Sequence, residues 1–237
     1  VGQDPLAIER IWDVLYRAAV HGRKGIEMMA ISAIDCALWD LKGRRLNVPI
    51  YDLLGGPVRD KMRVYAWIGG DDPADAAASA RSLVASGYTA LKMNATGALE
   101  WIDSTVKINE AVARLASVRE AVGPAIGIGI DFHGRVHKSM AKMLVKALEP
   151  FAPMFFEEPV LAENNDALAE IARHTAIPIA TGERMYTRWD FKSVLAAGTV
   201  DIIQPDCTKC GGLTEAWRIA WMAYDHNIQW VPHGWNT

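Results

Sequence analysis

From Met62 onward, short apolar runs alternate with longer stretches of helical period. The runs are RVYAWI (63–68), YTALKM (88–93), IGIGID (126–131), MFFEEP (154–159), IPIATGE (177–183), VDIIQPD (200–206) and NIQWVPH (227–233). Between them, residues 73–86, 104–121, 138–148, 165–174, 188–197 and 213–225 carry their apolar positions at helical spacing. Continuous apolar strands separated by helices imply an α/β fold, a parallel sheet covered by helices. Residues 1–61 read as helical throughout. Asp4-Pro5 predicts a cap and first turn ahead of Ile8, Ile11, Trp12 and Leu15. A second helix is expected from about Met28 to Arg44, stopped by Asn47-Val48-Pro49, with LLGG at 53–56 breaking the chain again.

The polar residues that end the runs are more informative. Asp131, Glu157, Glu183, Asp206 and His233 follow one another at 26, 26, 23 and 27 residues, each about one strand–helix unit. Neighbouring strands lie ~4.8 Å apart, so these side chains are expected to gather at one end of the sheet. A doubly wound sheet concentrates its site at one switch-point crevice, whereas a barrel draws on consecutive strands. A TIM-type barrel is therefore expected over residues 62–237. Seven strands are one short of closure, which predicts an excerpt of a longer chain or a missing eighth strand.

Charge and composition narrow the function. The net charge of −3 leaves no basic footprint for nucleic acid. The longest apolar run, near Ile126 to Ile130, is too short to span a bilayer. No secretory signal pattern opens the sequence, and three cysteines suit no disulfide framework. The expectation is a soluble cytoplasmic protein without nucleic-acid or membrane partners.

Three acids at matched strand ends repel one another unless a cation joins them. All-oxygen ligation by Asp131, Glu157 and Glu183 selects Mg²⁺, with Mn²⁺ as a substitute, and the absence of Cys or His at the positions equivalent to Glu157 and Glu183 argues against zinc. Glu158 alternates to the other face and reads as a structural ion-pair residue. His133, two residues beyond Asp131, emerges on the metal side if the strand persists that far, where it can serve as a general acid. Asp206 beside His233 would fix the imidazole tautomer and raise its basicity, making His233 a candidate base. Lys92 and Asn94 share one face of the second strand; Lys92 can neutralise an anionic substrate or its enolate, but Asn94 takes no proton. Lys209 could reach the same end, or be a solvated loop residue. Cys207 and Cys210 form a lone CxxC pair, for which a redox or zinc role has little support, and Gly211-Gly212 suits a tight turn into a helix. No nucleotide-binding glycine string occurs.

The strings AISAIDCALWDLKGR, PIYDLLGG, GYTALKMN, IGIDFHGRV, FFEEPV, ATGERMYTRWDFK and IIQPDCTKCGGLTEA resemble the enolase superfamily in its mandelate racemase-like branch. DFHGR with GERMYTRWDFK is most similar to acid-sugar dehydratases such as D-galactonate dehydratase. The resemblance implies an α+β capping domain, of which residues 1–61 would be the end, and a modified (β/α)₇β barrel. It matches Asp131, Glu157 and Glu183 to Mg²⁺ ligands, His233 with Asp206 to the proton-abstracting dyad, and His133 to the general acid. Racemases of the branch tend to carry a second lysine where Asn94 stands, which disfavours two-base racemisation. CTKCGG differs from the SHAGG-like string associated with galactonate dehydratase, so the particular aldonate stays open. The implied activity is Mg²⁺-dependent dehydration of a sugar acid to a 2-keto-3-deoxy acid by a homo-oligomer. The alternatives are a racemase, epimerase or cycloisomerase of the same superfamily, or an inactive metal-binding scaffold.

Overall fold

All seven apolar runs form strands, each shorter than its sequence pattern. In the computed structural model, which describes residues 2–234, they are β1 (Ala66–Trp67), β2 (Ala90–Asn94), β3 (Gly127–Asp131), β4 (Phe155–Glu157), β5 (Ile179–Thr181), β6 (Ile202–Ile203) and β7 (Gln229–Trp230). Residues 235–237, the end of the expected barrel segment, lie outside the described residues. The polar tails of several runs leave the ladder for a definite reason. Glu158 takes a left-handed φ of 43° ahead of Pro159, and Gly182 has φ 140°. Pro205 and Pro232 lack the N–H that a parallel ladder uses. The strands form one sheet in chain order, β1 to β7. β1 to β5 pair in parallel, as do β6 and β7.

The chain divides into two compact units: residues up to 62 with 182–198 and from 202 onward, and residues 63–181 with 199–201. In the second of these, Leu91, Ile128, Ile130 and Phe156 are fully buried on β2, β3 and β4. Around them run α4 (Pro73–Ala85), α5 (Thr105–Val122), α6 (Lys138–Leu148) and the short α7 (Leu168–Ala172). Asp72 caps α4 by accepting the Ala74 N–H at 2.7 Å, with Pro73 in the first turn. The single helix expected over 165–174 is instead a 3₁₀ segment, Ala162–Ala167, leading into α7. Asn164, at φ −120° and ψ 36°, interrupts helical geometry there.

The other unit holds α1 (Ile8–Ala18), α2 (Gly25–Leu46), α3 (Ile50–Leu53), α8 (Thr187–Ala197) and α9 (Gly212–Asp225). Asp4-Pro5 does not cap α1. The Asp4 carboxylate accepts the Leu6 N–H at 3.0 Å and its carbonyl accepts that of Ala7, so the pair forms a separate turn and the helix starts at Ile8.

α2 holds the start of α9. Asp35, 2% exposed, accepts the Thr214 hydroxyl at 2.6 Å and the Thr214 N–H at 2.9 Å, meeting the free donors at a helix N-terminus. Ser32 Oγ accepts the Gly211 N–H, and the Trp12 indole donates to the Gly211 carbonyl at 2.7 Å. Gly212 must be glycine: its φ is 79°, and a Cβ would stand 2.4 Å from Asp35 Oδ2. Among the described residues, no helix is long and apolar enough to cross a membrane.

Candidate active site

Register builds the first half of the site. Asn94, Asp131, Glu157 and Ala180 occupy one continuous rung across β2, β3, β4 and β5. Residues on one rung share a face, so the Asp131 and Glu157 carboxylates stand side by side, at 1% and 0% exposure. Lys92, two residues before Asn94 on the same face, is also buried and answers both acids. Its Nζ lies 2.9 Å from Asp131 Oδ2 and pairs closely with Glu157 Oε1. Burial alone would lower the lysine pKa. The charges of Glu157 and then Asp131 outweigh it, so the ammonium is held well above its usual range. The rings of Tyr65 and Trp67 lie 5.6 and 5.8 Å from Nζ.

His133 comes near Asp131 by a route that strand alternation does not predict. β3 ends at Asp131, and His133 adopts a left-handed φ of 53°. The Asp131 carboxylate accepts the His133 backbone N–H at 2.7 Å, and the turn brings Nε2 within 3.3 Å of Asp131 Oδ2. The imidazole meets Trp67 edge-on, centroids 5.7 Å apart. Arg135 was not singled out by the sequence reading. Its Nη2 lies 3.4 Å from Asn94 Oδ1 and 3.5 Å from His133 Nδ1. Its one sequence signal was its place in DFHGR.

Glu183, Asp206 and His233 belong to the other unit and all lie beyond their strands. Gly182 allows the turn before Glu183, because a Cβ there would meet Gln204 N at 2.8 Å. Asp206 and His233 form an isolated parallel bridge, and their side chains meet at 2.8 Å between Oδ2 and Nδ1. His233 Nε2 lies 3.3 Å from Glu183 Oε2. The N–H and hydroxyl of Thr208, a residue the sequence reading passed over, both donate to Asp206 Oδ1 at 2.7 Å. Burial opposes ionisation of Asp206, yet the hydrogen bonds from His233 and Thr208 hold its pKa below the usual carboxylate value. Lys209 donates to the Glu183 carbonyl at 3.4 Å, and Arg184 pairs with the Glu183 carboxylate at 2.9 Å.

Asp131 and Glu157 in one unit and Glu183 in the other are all buried, and together they offer three carboxylates to a metal ion. Such a set can hold a divalent cation, and its donors are wholly hard oxygen. The thiols do not compete for that role. Burial pushes Cys207 up to about 11 and Cys210 well above the ordinary thiol value, so both stay protonated at neutral pH.

Two protein families match the chain. The family described as "Enolase C-terminal domain-like" matches residues 75–237, and the "Mandelate racemase / muconate lactonizing enzyme, N-terminal domain" family matches residues 1–55. The chain belongs to the enolase superfamily, in its mandelate racemase branch. Members of this superfamily use a divalent metal. Within the superfamily, the chain is 50% identical over 233 residues to D-galactonate dehydratase of Ralstonia pickettii, covering 98% of this chain and 61% of that protein. The chain thus spans about three-fifths of such curated relatives. A crystal structure from Zymomonas mobilis ZM4 matches with a TM-score of 0.95 at 35% identity, over all of this chain and 66% of that one. The 3,6-anhydro-D-galactonate cycloisomerase of Zobellia galactanivorans matches with a TM-score of 0.91 at 34% identity, over all of this chain and 65% of that one.

Proposed function

We propose that this enolase-superfamily chain is the catalytic part of a Mg²⁺-dependent sugar-acid dehydratase, acting on an aldonate of the D-galactonate kind. The observation that carries the reading is the grouping of three buried carboxylates in a chain half identical to D-galactonate dehydratases. Asp131, Glu157 and Glu183 would hold the ion, with Mn²⁺ able to replace Mg²⁺. When bound, the ion supplies positive charge that stabilises the enolate developing on the substrate carboxylate.

The chain's own groups divide the proton work. With Asp206 at Nδ1, His233 carries its proton on that nitrogen, leaving the Nε2 lone pair to take the C2 proton. Lys92 places a permanent positive charge beside the acid pair, where it can also bind an anionic substrate. His133 delivers a proton from Nε2 to the departing C3 hydroxyl. Loss of water leaves an enol, which tautomerises to the 2-keto-3-deoxy acid. Asn94 can neither accept nor release a proton, which suits one base and one acid rather than two opposed bases. Asn94 and Lys209 are further substrate-contact candidates. Residues 1–61 are read as the end of a capping region and 62–237 as the barrel. A soluble sugar-acid substrate fits a cytoplasmic enzyme, and the family resemblance favours a homo-oligomer.

A cycloisomerase is the second reading, favoured by the Zobellia galactanivorans relative. It would use the same proton abstraction but keep every substrate atom. Screening aldonates for keto-acid formation, with and without chelator, separates the two. The dehydratase reading expects chelator-sensitive loss of water, and His133→Asn should abolish it while C2 exchange in D₂O continues. Full-rate dehydration by His133→Asn would refute the acid assignment.

A further inference from the structure

We infer that Trp67 and Arg135 form a subsite for the polyol tail of the substrate, the carbons beyond C3, and so help to set which aldonate is accepted. The inference rests on the dehydratase reading and adds a specificity site to it.

Trp67 ends β1 on the same rung as Lys92, so its indole stands on the face of the sheet that carries Lys92. Ile68 alternates to the other face and is buried. Tyr65, two residues earlier, packs against Phe155 with ring centroids 6.0 Å apart, whereas Trp67 is 45% exposed. That open indole stands beside the proposed chemistry. Its ring lies 5.8 Å from Lys92 Nζ, and its centroid is 5.7 Å from that of His133. The turn after β3 brings a second group to His133. The Gly134 N–H donates to the Glu158 carbonyl at 2.9 Å, and Arg135 Nη2 then lies 3.5 Å from His133 Nδ1 and 3.4 Å from Asn94 Oδ1. Both contacts use Nη2, so the rest of the guanidinium fork can donate elsewhere, and Arg135 is exposed. All of these residues belong to one compact unit.

In the proposed reaction the C3 hydroxyl meets His133. The Asp131 side of that imidazole leads to the buried acid pair, where the substrate carboxylate belongs. C4 and the carbons after it therefore run along the other neighbours of His133, which are Trp67 and Arg135. Their chemistry fits a polyol. The indole face takes its apolar C–H edges, and guanidinium N–H groups donate to its hydroxyl oxygens.

Two acids of the same configuration at C2 and C3 test this: D-galactonate, and L-threonate, which ends at C4. Trp67→Leu and Arg135→Met should each lower kcat/KM for D-galactonate about 10- to 100-fold, mostly through KM. The loss for L-threonate should be several-fold smaller, and Trp67→Phe, which keeps a ring face, should recover much of the loss for D-galactonate. Equal losses for both acids would mean that the two residues only support the fold, and would overturn the inference. Saturation-transfer NMR reads binding apart from turnover, using His233→Asn protein with Mg²⁺ and D-galactonate while aromatic protons are irradiated. H4 to H6 should receive more saturation than H2, and adding Trp67→Leu should abolish that preference. An unchanged pattern, or no transfer to H4–H6, overturns the inference even if the dehydratase reading stands. Failure of the wild type to dehydrate any aldonate would count against that reading alone, with the saturation pattern still deciding the subsite.

Discussion

Asp206 Oδ2 lies 2.8 Å from His233 Nδ1, and the same two residues are joined as a parallel backbone bridge. The His233 N–H donates to the Pro205 carbonyl at 3.2 Å, so main chain and side chain fix the pair together. Asp206→Asn keeps the shape but removes the anion that selects the Nδ1–H tautomer. C2 proton exchange should fall roughly 10²- to 10⁴-fold with little change in thermal unfolding. Exchange near the wild-type rate would show that Asp206 does not tune His233.

Asp35 makes a stability prediction separate from the chemistry. Asp35→Ala leaves the buried Thr214 N–H and hydroxyl without their acceptor. The cost should be roughly 1–3 kcal/mol, read as a lower denaturant midpoint at unchanged slope. A midpoint equal to wild type would mean that another acceptor takes over.

Cys207 should be slow to alkylate. Its pKa, pushed up from 9.0 to about 11, leaves about 100-fold less thiolate near pH 8 than an unperturbed thiol. Native-state labelling by iodoacetamide should be correspondingly slow, rise with pH toward 11, and become rapid on unfolding. Fast labelling at pH 8 would contradict the burial that raises the pKa.

The strands were legible because unbroken apolar runs such as IGIGID and MFFEEP at unit-length spacing admit few other readings. Their polar ends placed Asp131 and Glu157 correctly on one face, and the register confirms that they share a rung. Left-handed residues are invisible to hydrophobic periodicity. His133 at φ 53° and Glu158 at φ 43° leave the strand, so counting alternation past Asp131 or Glu157 gives no guide to them. Contacts over long sequence separation were also hidden. Trp12 reaches Gly211 and Asp35 reaches Thr214 across 199 and 179 residues, and no local pattern announces such pairings. Arg135 escaped notice because an arginine in a polar loop reads as solvated surface until the turn that redirects it is seen.

Metal binding is the most direct test of the shared carboxylate centre. Mn²⁺ titration of the purified, chelator-treated protein, followed by electron paramagnetic resonance, should find one tight site per chain from which Mg²⁺ displaces it. Residues that merely orient ligands cost 10- to 100-fold in affinity, so Asp131→Asn, Glu157→Gln and Glu183→Gln should each cost at least about that much. If all three variants bind Mn²⁺ as the wild type does, the three carboxylates do not share an ion, and the proposed chemistry has no centre.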